Sequence, residues 1–211
     1  MIILKRKWIL SGLVLSISTI LLMGCQEKQN TNVQAKKDIS EYKVLSNNWA
    51  DYRVYADTNE LEHSSPIIVR GEFTGKRSIK EWKDSETNEV VQKASESEMK
   101  INKIYKGNIT SGATIKIYEP ARFENSQFYS IEGYNVVQKN KEYVLFLRPS
   151  TEKDTYIIVG MYQGKYDMSN QKEAKEKRTI QKYKEIEQDE YFGDETERFN
   201  KLKNEVIQKY N

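Results

Sequence analysis

The sequence predicts a mostly β domain with C-terminal α structure: a small antiparallel barrel or sandwich followed by a charged helical tail. Three observations predict it. Six or so short runs alternate apolar and polar residues and are separated by turn residues. No helical run lies between successive strands, as βαβ units would require. From Gln171 onward the apolar residues recur every three or four positions and charge dominates.

Residues 1–24 read as a secretory leader. Lys5, Arg6 and Lys7 precede an apolar run from Trp8 to Met23, and a small residue sits at the cut. The run is about 16 residues, short of the roughly 20 that a spanning helix needs. Ser11, Ser16, Ser18 and Thr19 dilute it further. The junction Leu22-Met23-Gly24-Cys25 resembles the lipobox of bacterial lipoproteins. The resemblance implies a thioether-linked diacylglycerol, and hence palmitate-type acyl chains, on Cys25. Cys25 then becomes the mature N-terminus, and the protein is held at the outer face of the cell membrane by its lipid. It is the only cysteine, so no disulfide can staple the fold.

Residues 25–40 are expected to be a flexible tether. Gln26 to Lys37 carries almost nothing apolar beyond Val33 and Ala35, too little to repay ordering. A domain with a short N-terminal helix is expected over 41–168. Asp57-Thr58-Asn59-Glu60 reads as a capping box, and the helix must end before Pro66. Pro66 to Thr74 is a strand, with Gly71 marking a bulge or bend. Residues 76–89 are polar and read as a loop or ragged hairpin. Val90 to Tyr105 is a long strand, Lys106-Gly107-Asn108 a turn, and Ala113 to Glu119 the next strand.

Residues 121–135 read as irregular. Tyr143 to Leu147 is apolar throughout, as a strand buried on both faces would be. Tyr156 to Gly160 and Tyr162 to Tyr166 complete the set. The expected core is Ile67, Val69, Phe73, Met99, Ile101, Ile115, Ile117, Val144, Phe146, Ile157 and Val159. Residues 169–211 read as one broken helix or two. Phe199, Leu202, Val206 and Tyr210 form one stripe, taken to pack on the outside of the barrel; the alternative is a partner-binding or membrane-surface helix, and a polar face of mixed sign argues against lipid. On that reading a chain lacking 171–211 keeps a folded barrel.

Four segments carry a further resemblance: Ser65 to Glu72, Ile104-Tyr105-Lys106-Gly107, Ala113 to Ile117, and Glu142 to Leu147. They are similar to surface lipoproteins of Gram-positive bacteria. More distantly they resemble the OB-like barrels of netrin-type modules and tissue inhibitors of metalloproteinases. The resemblance covers about 57–168 and implies an OB-like barrel. It does not imply protease inhibition. In those inhibitors a cysteine at the domain's own N-terminus chelates the target's metal, whereas Cys25 lies far ahead of the first strand.

Composition bounds the function. The 34 basic residues exceed the 31 acidic ones only through Lys5, Arg6 and Lys7, which leave with the leader. The mature chain is then neutral, and no bulk field drives binding to nucleic acid. His63 is the only histidine. It sits in a polar stretch at a helix end and has no sequence partner for a catalytic triad or a zinc site. There is no phosphate loop and no dinucleotide fingerprint. No cofactor or metal is expected. Two acids suffice for glycoside hydrolysis, so an extracytoplasmic hydrolase acting through a carboxylate pair is the alternative.

The main expectation is a lipid-anchored extracytoplasmic binding or interaction module. Aromatic load is the handle, because tyrosine offers area and a hydroxyl at low entropic cost. Trp49, Trp82, Phe128, Tyr129 and Tyr134 form the candidate patch. They either cap the open ends of the barrel or bind a partner, such as another surface protein or a cell-wall glycan.

Overall fold

Two strands of 17 residues dominate the computed structural model, β2 (Ile67–Lys83) and β3 (Val90–Lys106). The structure describes residues 38–47, 50–175 and 179–211. The leader, Cys25 and most of the tether fall outside the described residues. The remaining strands are β1 (Lys43–Asn47), β4 (Thr114–Glu119), β5 (Ala121–Glu124), β6 (Gln127–Ile131), β7 (Glu142–Pro149), β8 (Thr155–Ile158) and β9 (Lys165–Asp167). Two α-helices flank them, α1 (Thr58–Ser64) and α2 (Thr196–Tyr210).

The mostly β class with a C-terminal helix is the class expected from the sequence. Five strands run in a ring, β2-β3-β4-β8-β7 and back to β2. All neighbours are antiparallel except β4 and β8, which are parallel. The ring is OB-like but unevenly closed. β2 and β7 stay in register from Ile67↔Leu147 to Glu72↔Glu142, whereas β4 and β8 share only Lys116↔Thr155 to Tyr118↔Ile157. A second sheet, β1-β6-β5, lies outside the ring, and β9 extends the first sheet beyond β7.

Local chemistry explains the elements. Asp57 caps α1, its carboxylate accepting from the Glu60 amide at 2.9 Å. Glu60 reaches back to the Ala56 amide instead of the cap residue. Pairing shifts register between Arg70 and Gly71, the expected bulge. A Cβ at Gly71 would lie 2.6 Å from the Lys100 carbonyl oxygen, so only glycine lets β3 approach so closely.

In the segment 76–89 the ragged-hairpin alternative of the sequence reading holds, with longer strands than a loop would leave. β2 continues to Lys83, and only Asp84 to Glu89 turns. The Asp84 carboxylate accepts from the amides of Glu86 and Thr87 at 2.9 and 2.8 Å. Polar residues persist in β2 here because it pairs only with β3 over this stretch and its side chains from Lys76 to Lys83 stay at least partly exposed. Residues 121–135, read as irregular, form the β5–β6 hairpin instead.

The core runs through the ring and beyond it. Val144, Leu145, Phe146 and Leu147 on β7 are fully buried, as the unbroken apolar run predicts. One face meets the ring interior. Phe146 also makes edge contacts to Tyr166 and Tyr210. Of the expected core, Phe73 is only partly buried. Ile157 is also half-buried, and Ile158 takes the buried place. The parity of β8 is set by Ile158, which pairs with buried Leu147.

The C-terminal part departs most from expectation. Only Thr196–Tyr210 is α-helical; residues before it carry a short 3-10 turn at Tyr183–Glu185. The chain near Gln181 to Tyr183 is recruited by the first strand. The Val44 amide donates to the Gln181 carbonyl at 2.9 Å, and the Tyr183 amide donates to the Tyr42 carbonyl at 2.9 Å. Tyr183, Ile186 and Tyr191 are buried in the same core as Phe199, Leu202, Val206 and Tyr210. The α2 stripe therefore packs on the barrel as expected, but as part of one core and not as an outer layer.

Candidate functional site

The outer face of the ring carries a cleft of about 820 Å³, where Trp82, Gln92, Tyr118, Ile157 and Arg148 share the face opposite the buried Ile117; the size lies inside the roughly 300–1,000 Å³ typical of ligand pockets. Its walls come from segments far apart in sequence. Trp82, near the end of β2, stands opposite Gln92 on β3. Tyr118 and Glu119 end β4 on one side. Arg148 to Glu152 follow from β7, and Ile157 to Gly160 line the floor. The coil Ala50 to Tyr55 closes the remaining side.

That coil is fixed by one buried amide. The Gln163 side chain accepts from the Tyr55 amide at 2.9 Å and donates to the Arg53 carbonyl at 3.1 Å. Tyr52 packs edge-on to Tyr162, and the Arg53 guanidinium lies 5.2 Å from the Tyr55 ring centre. Gly160 has φ +69, and a Cβ there would meet the Tyr55 ring at 2.7 Å. Glycine at 160 thus lets the coil and the floor touch.

The aromatic wall is built by Trp82 and Tyr118, in a T-shaped pair with centroids 4.9 Å apart. The Lys80 ammonium sits 6.0 Å above the indole and pairs with Glu152 at 2.5 Å. Burial, and then the carboxylate of Glu152, push the Tyr118 hydroxyl well above the usual tyrosine range. Lys80, and then Tyr118, hold the Glu152 carboxyl below the ordinary carboxylate value.

The three carboxylates bordering the cleft are Asp51, Glu119 and Glu152. Glu119 is fully buried and accepts from Tyr134 OH and the Val137 amide, both at 2.8 Å, from Ser97, and from Arg77 at 3.4 Å. Glu152 is committed to Lys80. Asp51 alone is uncommitted among the described residues. Two-carboxylate hydrolysis needs a second free acid. Among the described residues, no group of three or more His, Cys, Asp or Glu is placed to hold a metal ion.

Of the residues the sequence singles out, Trp82 lines the cleft. Trp49 and Cys25 lie outside the described residues. Phe128 and Tyr134 are 0% and 1% exposed, which removes them from any surface patch. The reason is the β5–β6 hairpin, which turns Phe128 inward against Phe123 and Tyr183. Tyr134 is spent on Glu119. Tyr129 is half-buried on the other face of β6 with the Arg122 guanidinium 4.2 Å from its ring centre, away from the cleft lining. His63 is exposed on the last turn of α1.

Sequence reasoning missed Tyr52, Arg53, Tyr118 and Arg148. The available signals were slight: a charged residue between tyrosines in a coil, and Arg148-Pro149 at the end of an apolar strand. No helix of the described residues is long and apolar enough to cross a membrane. No family model matches the chain, and no curated protein matches it.

Proposed function

We infer that this protein is a lipid-anchored extracytoplasmic binding module that takes its ligand in the cleft on the outer face of the ring. The observation that carries the reading is the cleft itself: a roomy, aromatic-walled opening whose polar groups converge on one space. The leader and Cys25 supply the anchoring half of the proposal. Binding is favoured over hydrolysis because two of the three bordering carboxylates are committed to protein partners.

An analogy of fold points the same way. OB barrels bind ligands on the face of their second and third strands and with the loops joining strands one to two and four to five. In ring order those loops are Asp84 to Glu89 and Ser150 to Asp154; the cleft is lined by Ser150 to Glu152 of the second and by Trp82 and Gln92 on the strands that the first connects.

The test is photocrosslinking in intact membranes. A photoreactive residue at Thr151, exposed at the cleft rim, should give specific adducts. The same residue at Lys100, exposed elsewhere on β3, should not. Equal labelling from both positions, or none from Thr151, would refute the reading.

A further inference from the structure

Among the described residues, the arginines that lack a carboxylate partner are found in one place. Six arginines fall among the described residues. Arg70, Arg77, Arg122 and Arg198 each pair with a glutamate. Arg53 and Arg148 have no carboxylate partner among the described residues, and both line the cleft. Both are exposed, so neither is held by burial. Arg53 is instead oriented by stacking on Tyr55.

A guanidinium presents a planar fork of donors that fits a carboxylate or phosphate in bidentate geometry. Two of them on one cleft, neither engaged by a carboxylate, are free to take an anionic group. Of the acids on the cleft, Glu152 is taken by Lys80 and Glu119 by its own donors, and the exposed Asp51 pairs with neither arginine. The other cleft groups suit a sugar. Trp82 is half-buried and offers the apolar ring surface left beside Tyr118 and Lys80, and the Gln92 and Thr151 side chains make no hydrogen bond among the described residues. Amide and hydroxyl groups of that kind match ring hydroxyls.

We propose that the cleft binds an acidic glycan, a saccharide chain bearing carboxylate or phosphate groups. Arg53 and Arg148 take the acidic groups, and a sugar ring lies on Trp82. This rests on the reading of the cleft as the ligand site.

The probes are oligomers of one backbone: dextran, carboxymethyl-dextran and phosphorylated dextran of matched length, with polyglutamate as the acidic peptide control. Binding is measured to the full chain in detergent micelles. At least one acidic dextran should bind ten or more times tighter than neutral dextran, and the stronger one identifies the acid. Arg53→Gln and Arg148→Gln should each weaken that binding at least tenfold with unchanged melting temperature. Trp82→Ala should weaken binding of charged and neutral oligomers alike. Added salt should weaken the acidic arm selectively. Equal affinity for neutral dextran, arginine variants without effect, or tighter binding of polyglutamate would each overturn the proposal. If no oligomer binds but the Thr151 photoprobe still gives cleft adducts, the acidic glycan is refuted and the binding reading stands. If the photoprobe also gives none, both fall.

Discussion

Phe199→Ala measures whether the C-terminal helix belongs to the core. Phe199 is 1% exposed. Its ring stacks on Tyr191 at 5.1 Å and on Tyr166 at 5.8 Å, and tilts against Tyr162 at 6.4 Å. Truncating a buried Phe to Ala costs about 3–5 kcal/mol, and each aromatic pair is worth about 0.5–1.5 kcal/mol beyond its area. With three ring partners the loss should lie near the upper end, about 4–5 kcal/mol. That is a large share of a typical total of about 5–15 kcal/mol. Urea unfolding, followed by circular dichroism, reads it directly. With a slope near 2 kcal/mol per molar, the midpoint should fall by about 2 M with the slope unchanged. Val91→Ala, at a residue 67% exposed on the β2–β3 arm, should stay within about 0.5 kcal/mol. A midpoint shift for Phe199→Ala no larger than that of Val91→Ala would show that α2 is an outer layer and that the core ends with the barrel.

Three further outcomes are expected. Cys25→Ser should stop lipid processing or release the protein from membranes, read by fatty-acid labelling; label still on the variant would contradict the anchor. Glu119→Ala should cost about 3–5 kcal/mol, because it leaves the buried donors of Ser97, Tyr134 and Val137 without their acceptor and the Arg77 charge without its carboxylate, and Glu119→Gln should cost less; a neutral Glu119→Ala would refute the network. Lys165 is buried, donates to the Asn135 carbonyl at 2.6 Å and lies 4.5 Å from the Tyr134 ring centre. Burial pushes its pKa below the ordinary 10.5. The unfolded chain then holds this proton where the folded one has lost it, so this group's contribution to stability rises with pH between the lowered value and 10.5. Any stability advantage of Lys165→Met over wild type should therefore shrink as pH rises toward 10.5, and an advantage that grows would contradict the sign.

Sequence pattern reached some of this and stopped at identifiable places. The unbroken apolar run 143–147 announced a strand covered on both faces, and the stripe Phe199, Leu202, Val206, Tyr210 announced a buried helical face. Both signals are local and strong. The arm at 76–83 read only as a loop or ragged hairpin because its polar side chains stay at least partly exposed and carry no apolar alternation. Residues Ile180, Tyr183 and Ile186 have helical spacing but are set by pairing with β1, a tertiary contact that spacing cannot encode. The cleft was hidden for a related reason. Trp82, Tyr118 and Arg148 meet only when the ring closes, and Arg53 joins them through Gln163. Phe128 and Tyr134 looked like surface aromatics because the β5–β6 hairpin was read as loop.

Backbone and indole chemical shifts of the full chain, titrated with the tightest-binding oligomer, test the central claim most directly. The Trp82 indole N–H should move most, with Gln92, Tyr118, Arg148 and Thr151 beside it, while α2 and the β5–β6 hairpin stay still. Shifts confined to the arm tip or to α2, with the Trp82 indole unmoved, would place the ligand elsewhere and contradict the account.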